Sequence, residues 1–174
     1  MAELPGHIRA TQAASIALLT TTSGLNLGLS FFVIPRLLEL PTPLMLRQWG
    51  SMFRATSRAL PPGFVLPAAL NAYLAYRLPG KARVYGLAAA LALSVLPYTY
   101  GLLMPINRKL LDKARDVEAL GGAGGLALGD VLGEEMGARE ETGHALIDTW
   151  GVYNLYRGGA AFVAGCVGLY AALW

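Results

Sequence analysis

The sequence predicts an all-α fold, a bundle of four transmembrane helices with an additional amphipathic helix at the membrane interface. Apolar residues make up 55% of the 174 residues and charged residues only 14%, whereas about a quarter of a soluble domain is charged. The charged residues also leave four long stretches that only Arg157 interrupts. Each stretch is close to or above the roughly 18 to 20 residues that cross a bilayer.

The chain is therefore predicted to be a single integral membrane domain. Its four spans are predicted at residues 8–38, 59–78, 83–106 and 146–174. The first span is longer than the apolar run of a secretory signal, about 7 to 15 residues, so it is predicted to be retained. Residues 109–143 hold most of the acidic residues and a run of glycines, and they are predicted to form an extramembrane loop.

The segment at residues 44–60 lies between two pairs of prolines and is predicted to be an amphipathic helix. Arg47, Arg54 and Arg58 recur on one side at helical spacing, and Trp49 falls on another. Such a helix suits the membrane interface or a re-entrant segment, where arginines reach lipid phosphates. The same arginines could instead draw an anionic or phenolate ligand inward.

The first span carries polar side chains and two glycines at helix-packing positions. Asn26 shares a face with Ser23 and Ser30, and this face should point at other helices, because an unpaired amide in hydrocarbon costs several kcal/mol. Gly24 and Gly28 form a G-x-x-x-G pair, which predicts the close approach of a neighbouring helix.

The last two spans hold the most specific polar residues. Tyr100 and Asn107 are seven residues apart and are predicted to share a face of the third span. Trp150, Asn154 and Arg157 recur at i, i+4 and i+7 in the fourth span, which places them on one helical face. An ionisable residue inside a membrane is a candidate functional residue by default. These positions predict a pocket between the third and fourth spans.

Three short motifs, in a fixed order between the apolar spans, carry a resemblance to a known family. They are Gln48-Trp49-Gly50-Ser51-Met52-Phe53, Pro105-Ile106-Asn107-Arg108 and Trp150-x-x-x-Asn154-x-x-Arg157. They resemble the fungal anthrone oxygenases, and the resemblance covers essentially the whole chain. It implies an enzyme of aromatic polyketide biosynthesis that oxidises an anthrone to an anthraquinone with molecular oxygen. It also implies an internal membrane such as the endoplasmic reticulum.

This chemistry needs an apolar slot for a planar tricycle, a proton acceptor and donors that stabilise an oxyanion. We expect the substrate to contact aromatic residues and one arginine, namely Trp49, Tyr100, Trp150 and Arg54. We expect the oxyanion donors to be Arg157, Asn154, Asn107 and Arg108. His144 is the candidate base, although it projects away from the Arg157 side, and Asp148 or a tyrosine is the reserve.

No flavin or haem is predicted, because the chain has no dinucleotide fingerprint and no obvious pair of axial ligands. Molecular oxygen would be the co-substrate. A metal site is disfavoured because His144 and Asp148 lack a third ligand at a fixed spacing. Cys166 is the only cysteine, which excludes chemistry that needs paired thiols.

The charge pattern and the span pattern leave two kinds of alternative. A net charge of +3 spread over the ends of the spans does not predict a nucleic-acid partner. A carrier should show inverted repeats, and the two halves of the chain are not similar. A non-catalytic membrane scaffold or partner subunit of a biosynthetic complex stays open, as does a homo-oligomer.

Overall fold

The structure, a computed structural model, describes residues 4–121 and 142–174, and within them all regular secondary structure is helical. This confirms the predicted all-α class. In chain order the α-helices are α1 Gly6–Gly28, α2 Ile34–Leu38, α3 Thr42–Ala59, α4 Pro62–Arg77, α5 Ala82–Tyr98, α6 Met104–Gly121 and α7 Gly143–Leu173. A short 3₁₀ segment at Pro79–Lys81 joins α4 to α5.

Two π-helical segments each connect two consecutive α-helices. Leu29–Val33 joins α1 to α2, and Thr99–Leu103 joins α5 to α6. Each segment precedes a proline, Pro35 or Pro105, and contains the residue four positions before it. A proline ring clashes with the carbonyl four residues earlier. The wider π turn removes this clash by adding a residue to the turn.

Within residues 4–121 and 142–174, three helical stretches are long and apolar enough to cross a membrane, which agrees with a membrane protein. They are Gly6–Leu38, Pro79–Ala119 and Gly143–Leu173. Helix α4 occupies most of the predicted span at residues 59–78, but it has only 16 residues, below the usual length of a transmembrane helix. The four-span bundle and the single membrane domain therefore stay predictions.

Helix α6 continues to Gly121, inside the segment predicted to be a loop. Leu110, Ala114 and Val117 are buried at helical spacing, and Asp112 and Arg115 pair at 3.3 Å on the exposed side. The apolar spacing at positions i, i+4 and i+7 explains the helix. Residues 122–141, including the predicted glycine-rich part, lie outside the described residues.

Helix α3 confirms the predicted amphipathic helix. Its buried side includes Met45, Leu46 and Trp49, and its three arginines at positions 47, 54 and 58 are exposed. The location of this helix at the membrane interface stays a prediction.

The chain divides into two compact units. Unit 1 consists of Met1–Leu27, Ala59–Tyr98 and Leu155–Trp174, and unit 2 of Gly28–Arg58 and Thr99–Asn154. Helix α7 therefore contributes its first part to unit 2 and the rest to unit 1.

The prediction of helix packing at Gly24 and Gly28 was wrong within the described chain. A Cβ atom built on either glycine meets no described atom within 4 Å. Asn26 is fully buried, and residues two positions away on an α-helix point about 200° from it. The buried face of α1 is therefore the face of Asn26, as the polar pattern predicted, and the two glycines lie opposite.

Close helix approach occurs at other glycines in both units, and in unit 1 these include Gly63, where an added Cβ atom would overlap the Thr22 side chain. In unit 2, a Cβ atom on Gly151 would lie 2.9 Å from Ile34 Cγ2. In unit 1, a Cβ atom on Gly158 would lie 2.6 Å from Leu27 Cδ2 and 3.1 Å from the Leu27 backbone nitrogen. Both positions therefore require glycine, which has no side chain.

Candidate active site

Two buried tryptophans contact each other in unit 2. Trp49 on α3 and Trp150 on α7 are 0% and 1% exposed. Their ring centroids are 6.0 Å apart with planes at 88°, an edge-to-face contact, and Phe53 stacks on Trp49 at 5.0 Å. Such contacts stabilise aromatic pairs beyond their buried area. The sequence predicted these tryptophans as walls of a slot, whereas the structure has them in contact with each other.

A hydrogen bond joins α6 to α7 beside this aromatic contact. Trp150 Nε1 donates to Asn107 Oδ1 at 2.8 Å, and both residues are buried. Breaking it would leave a buried polar group unsatisfied, at a cost of about 1–3 kcal/mol. We call Trp150 and Asn107 the indole–amide pair. Because Asn107 Oδ1 is occupied, the groups of this amide that can face a ligand oxygen are the two hydrogens on Nδ2.

Asn154 lies one turn beyond Trp150 and connects α7 to the first π-helical segment. Its Nδ2 donates to Ser30 Oγ at 3.1 Å, and Ser30 Oγ donates to the carbonyl of Gly151 at 2.8 Å. Asn154 is fully buried. The structure therefore assigns it a packing role in unit 2, and its predicted role as an oxyanion donor stays a prediction.

The indole nitrogen of Trp49 is a buried donor that the described residues leave without a hydrogen-bond acceptor. Buried indole N–H groups usually have a partner. This group and the Asn107 Nδ2 hydrogens are two neutral donors in unit 2 that a ligand oxygen could use.

Three predicted site residues lie on the surface instead. Arg108 is exposed, and Arg54 pairs with Glu118 at 3.1 Å. Tyr100 is 69% exposed while Asn107 is buried, so these two do not share a face as predicted. The reason is the π-helical segment Thr99–Leu103, whose wider turn changes the angle between residues seven apart.

His144 is half-buried in unit 2, with Nδ1 3.5 Å from Thr42 Oγ1. Its predicted role as the base stays a prediction, and the reserve candidate Asp148 is exposed. Among residues 4–121 and 142–174, no three His, Cys, Asp or Glu side chains approach as a metal-binding group.

Arg157 belongs to unit 1 and is half-buried. Its guanidinium carbon lies 5.5 Å from the centroid of the Phe64 ring. A cation over an aromatic face gains about 0.5–2 kcal/mol. The sequence showed an isolated charge inside an apolar span, and the structure adds an aromatic neighbour to it. Its predicted role as an oxyanion donor stays a prediction.

A pocket of about 310 Å³ lies between α7 and the helix formed by the second π segment and α6. Its lining residues all belong to unit 2 and are Gly101, Leu102, Pro105, Ile106, Lys109, Ala145, Leu146, Thr149 and Tyr153. The volume is at the lower end of the range for small-ligand sites, about 300–1,000 Å³. We call this space the α6–α7 pocket.

The α6–α7 pocket lies between the two helices that the sequence predicted, but none of the predicted site residues lines it. Ile106 precedes Asn107, and Thr149 precedes Trp150. The polar lining residues Lys109 and Tyr153 were missed. A signal for them exists in the sequence, since two rows at positions i, i+4 and i+8 begin at Gly101 and Ala145 and end at Lys109 and Tyr153.

Comparison with known proteins identifies the family. The anthrone oxygenase AgnL2 of Paecilomyces divaricatus is 28% identical over 146 residues, which cover 80% of each chain. The anthrone oxygenase nsrD of Aspergillus novofumigatus is 30% identical over 121 residues, 65% of this chain and 72% of that protein. No solved structure matches. The family model described as anthrone oxygenase matches residues 49–167, well over half of the chain, so this protein belongs to the anthrone oxygenase family.

Proposed function

We propose that this protein is a membrane-bound oxygenase that converts an anthrone to an anthraquinone with molecular oxygen, in aromatic polyketide biosynthesis. The family match over residues 49–167 carries the proposal. The matched range contains the two buried tryptophans of unit 2, Asn107 and every residue of the α6–α7 pocket. The three apolar helices support a membrane location, and an internal membrane such as the endoplasmic reticulum is part of the proposal.

The reaction balances without an external reductant. The methylene of an anthrone loses a proton to give an anthrolate, which gives electrons to oxygen. Oxidation of the methylene to a carbonyl releases four electrons, and reduction of oxygen consumes four. One oxygen atom becomes the new carbonyl and the other leaves as water, so anthrone and oxygen give anthraquinone and water.

The protein must then favour proton loss and hold the anion in a water-poor site. Amide and indole donors aimed at a developing oxyanion are the groups that do this without reorganising. The Asn107 amide and the Trp49 indole are buried groups of these two types in unit 2, although neither lines the α6–α7 pocket. His144 is the candidate acceptor of the methylene proton, because a neutral imidazole ring has one nitrogen that can accept a hydrogen.

We propose that the reaction uses no flavin or haem, since the anthrolate itself supplies the electrons. Purified active protein should then show no stoichiometric visible absorbance band. A bound cofactor whose removal abolishes activity and whose return restores it would contradict this part of the proposal.

The activity is tested with purified protein in detergent and an anthrone in air. Quinone absorbance and oxygen consumption are followed together, with heat-treated protein and empty micelles as controls because anthrones also oxidise unaided. We expect both rates to rise in proportion to protein and to remain equal in moles. With a scaffold or partner subunit, both rates would equal those measured with empty micelles, and that result would contradict the proposal.

A further inference from the structure

We propose that the α6–α7 pocket binds a flat hydroxyarene, with the Lys109 ammonium as the partner of its ionised oxygen. This inference rests on the proposed function, which names an anthrone as the reacting ligand. It is carried by the placement of one cation, one acceptor and one aromatic ring on the walls of a ligand-sized space.

The walls of the pocket suit a flat apolar molecule. Gly101, Pro105 and Lys109 recur every four residues along one wall, and Ala145, Thr149 and Tyr153 along the other. Leu102, Ile106 and Leu146 add apolar surface. Residues four apart line one face of a helix, so the ligand would lie between two nearly continuous rows. A planar tricycle fits such a space better than a globular ligand.

The polar groups select the chemistry of the ligand. The hydroxyl of Thr149 donates to the carbonyl of Ala145 at 2.7 Å, so toward a ligand it can only accept a hydrogen bond. Lys109 can only donate, and Tyr153 offers a ring and a hydroxyl. A hydroxyarene matches all three, because it has an anionic oxygen, a phenol hydrogen and a π face. A lipid phosphate would match Lys109 alone.

This arrangement also favours the proposed reaction. A cation beside the oxygen of the ligand stabilises the anthrolate more than the neutral anthrone, so it promotes loss of the methylene proton. Trp150 and Asn107 act here as positioning residues, because their hydrogen bond joins the two helices that line the pocket.

The first test measures binding of a dihydroxyanthraquinone, which resembles the product and does not react. Its visible absorbance shifts when a phenol ionises, so a titration reports both affinity and ionisation. Lys109→Met should weaken binding about 10- to 100-fold, the loss expected for a charge-assisted hydrogen bond, and should abolish the shift. Lys109→Arg should keep both within a few-fold.

The matched control is Lys113→Met, which removes the same charge from the next turn of α6 but does not line the pocket. We expect it to bind like the wild-type protein. If Lys109→Met binds with unchanged affinity and an unchanged shift, Lys109 is not the partner of the ligand oxygen and the proposal is overturned.

The second test fills the pocket without relying on charge. Gly101 lines the pocket, and a Cβ atom built on it meets no described atom within 4 Å. Gly101→Phe should therefore reduce binding at least tenfold while the protein stays folded. Gly86→Phe on α5 is the control, since Gly86 is equally open and does not line the pocket. Equal binding by the two variants would overturn the proposal.

The outcomes separate this inference from the proposed function. If quinone formation is absent but binding depends on Lys109 and Gly101, the pocket is supported and the activity is not. If quinone forms and neither variant changes binding or KM, the activity stands and the pocket is overturned. Native mass spectrometry with anionic phospholipid adds a further outcome, because loss of lipid alone in Lys109→Met would identify a lipid site and overturn the proposal.

Discussion

Both compact units contain buried side-chain amides, but the hydrogen-bond partners of these amides differ. In unit 1, Asn71 Nδ2 donates to Ser15 Oγ at 2.6 Å and to the Pro67 carbonyl at 2.9 Å. In unit 2, Asn107 accepts from Trp150 on the two helices that line the α6–α7 pocket. Burial of a polar residue therefore does not identify a site in this protein. The α6–α7 pocket, a ligand-sized space along the same two helices, is the observation from which we propose a site in unit 2.

The largest expected effect tests Arg157, the one residue of unit 1 that the sequence predicts to act in catalysis. Arg157→Lys keeps the charge and loses the planar set of donors. Loss of one preorganised oxyanion donor costs about 10²- to 10³-fold in rate. We expect turnover to fall by this factor while the amount of folded protein changes little, as measured by quinone formation and size-exclusion chromatography.

Arg77→Lys is the matched control, because Arg77 also belongs to unit 1 and lies 5.6 Å from the centroid of an aromatic ring, that of Tyr73. It should keep normal turnover. If Arg157→Lys behaves like Arg77→Lys, Arg157 has a packing role, and the remaining predicted catalytic residues all belong to unit 2.

The next effect compares the two buried amides directly. Asn107→Leu removes the acceptor of Trp150 and the Nδ2 donors, and we expect turnover to fall about 10- to 100-fold with a lower melting temperature. Asn71→Leu removes the two hydrogen bonds in unit 1, and it should lower the melting temperature without a comparable loss of turnover. Equal losses of turnover in both variants would show that the buried amides of the two units do not differ in their effect on turnover.

The smallest effect concerns the glycines at close helix contacts. Gly158→Ala should lower the free energy of unfolding by about 1–3 kcal/mol, because the added methyl meets Leu27, including its backbone nitrogen at 3.1 Å. Gly24→Ala should change it by less than about 0.5 kcal/mol, since no described atom is near. Denaturant unfolding in detergent measures both. A larger loss for Gly24→Ala would mean that α1 packs through its glycine face.

Periodicity predicted the features that depend on one regular helix. The amphipathic character of α3 and the buried face of Asn26 follow from 3.6 residues per turn, and both are seen in the structure. The sequence also predicted a pocket between the third and fourth spans, and the α6–α7 pocket lies between helices of these two regions, although it is lined by other residues. Here Asn107 and Trp150, far apart in sequence, form a hydrogen bond.

Other features depend on departures from that period or on partners that a single sequence does not reveal. The π-helical segment before Met104 separated Tyr100 from the buried face of Asn107. The acidic residues and the glycine run of residues 109–143 predict a loop that begins at Lys109, whereas α6 continues through this residue. The contact between Arg157 and the Phe64 ring results from tertiary packing, which helical spacing does not predict.

The central claim, an oxygenase that transfers one atom of molecular oxygen to an anthrone, is tested most directly with ¹⁸O₂. Purified protein is incubated with an anthrone under labelled oxygen in ordinary water, and the isotope content of the anthraquinone is measured by mass spectrometry. The product formed in empty micelles is subtracted. A labelled quinone incubated in water with the protein controls for exchange. We expect the protein-dependent product to carry one ¹⁸O atom in its new carbonyl. Protein-dependent product that carries only ¹⁶O, or no product above the micelles, would contradict the claim.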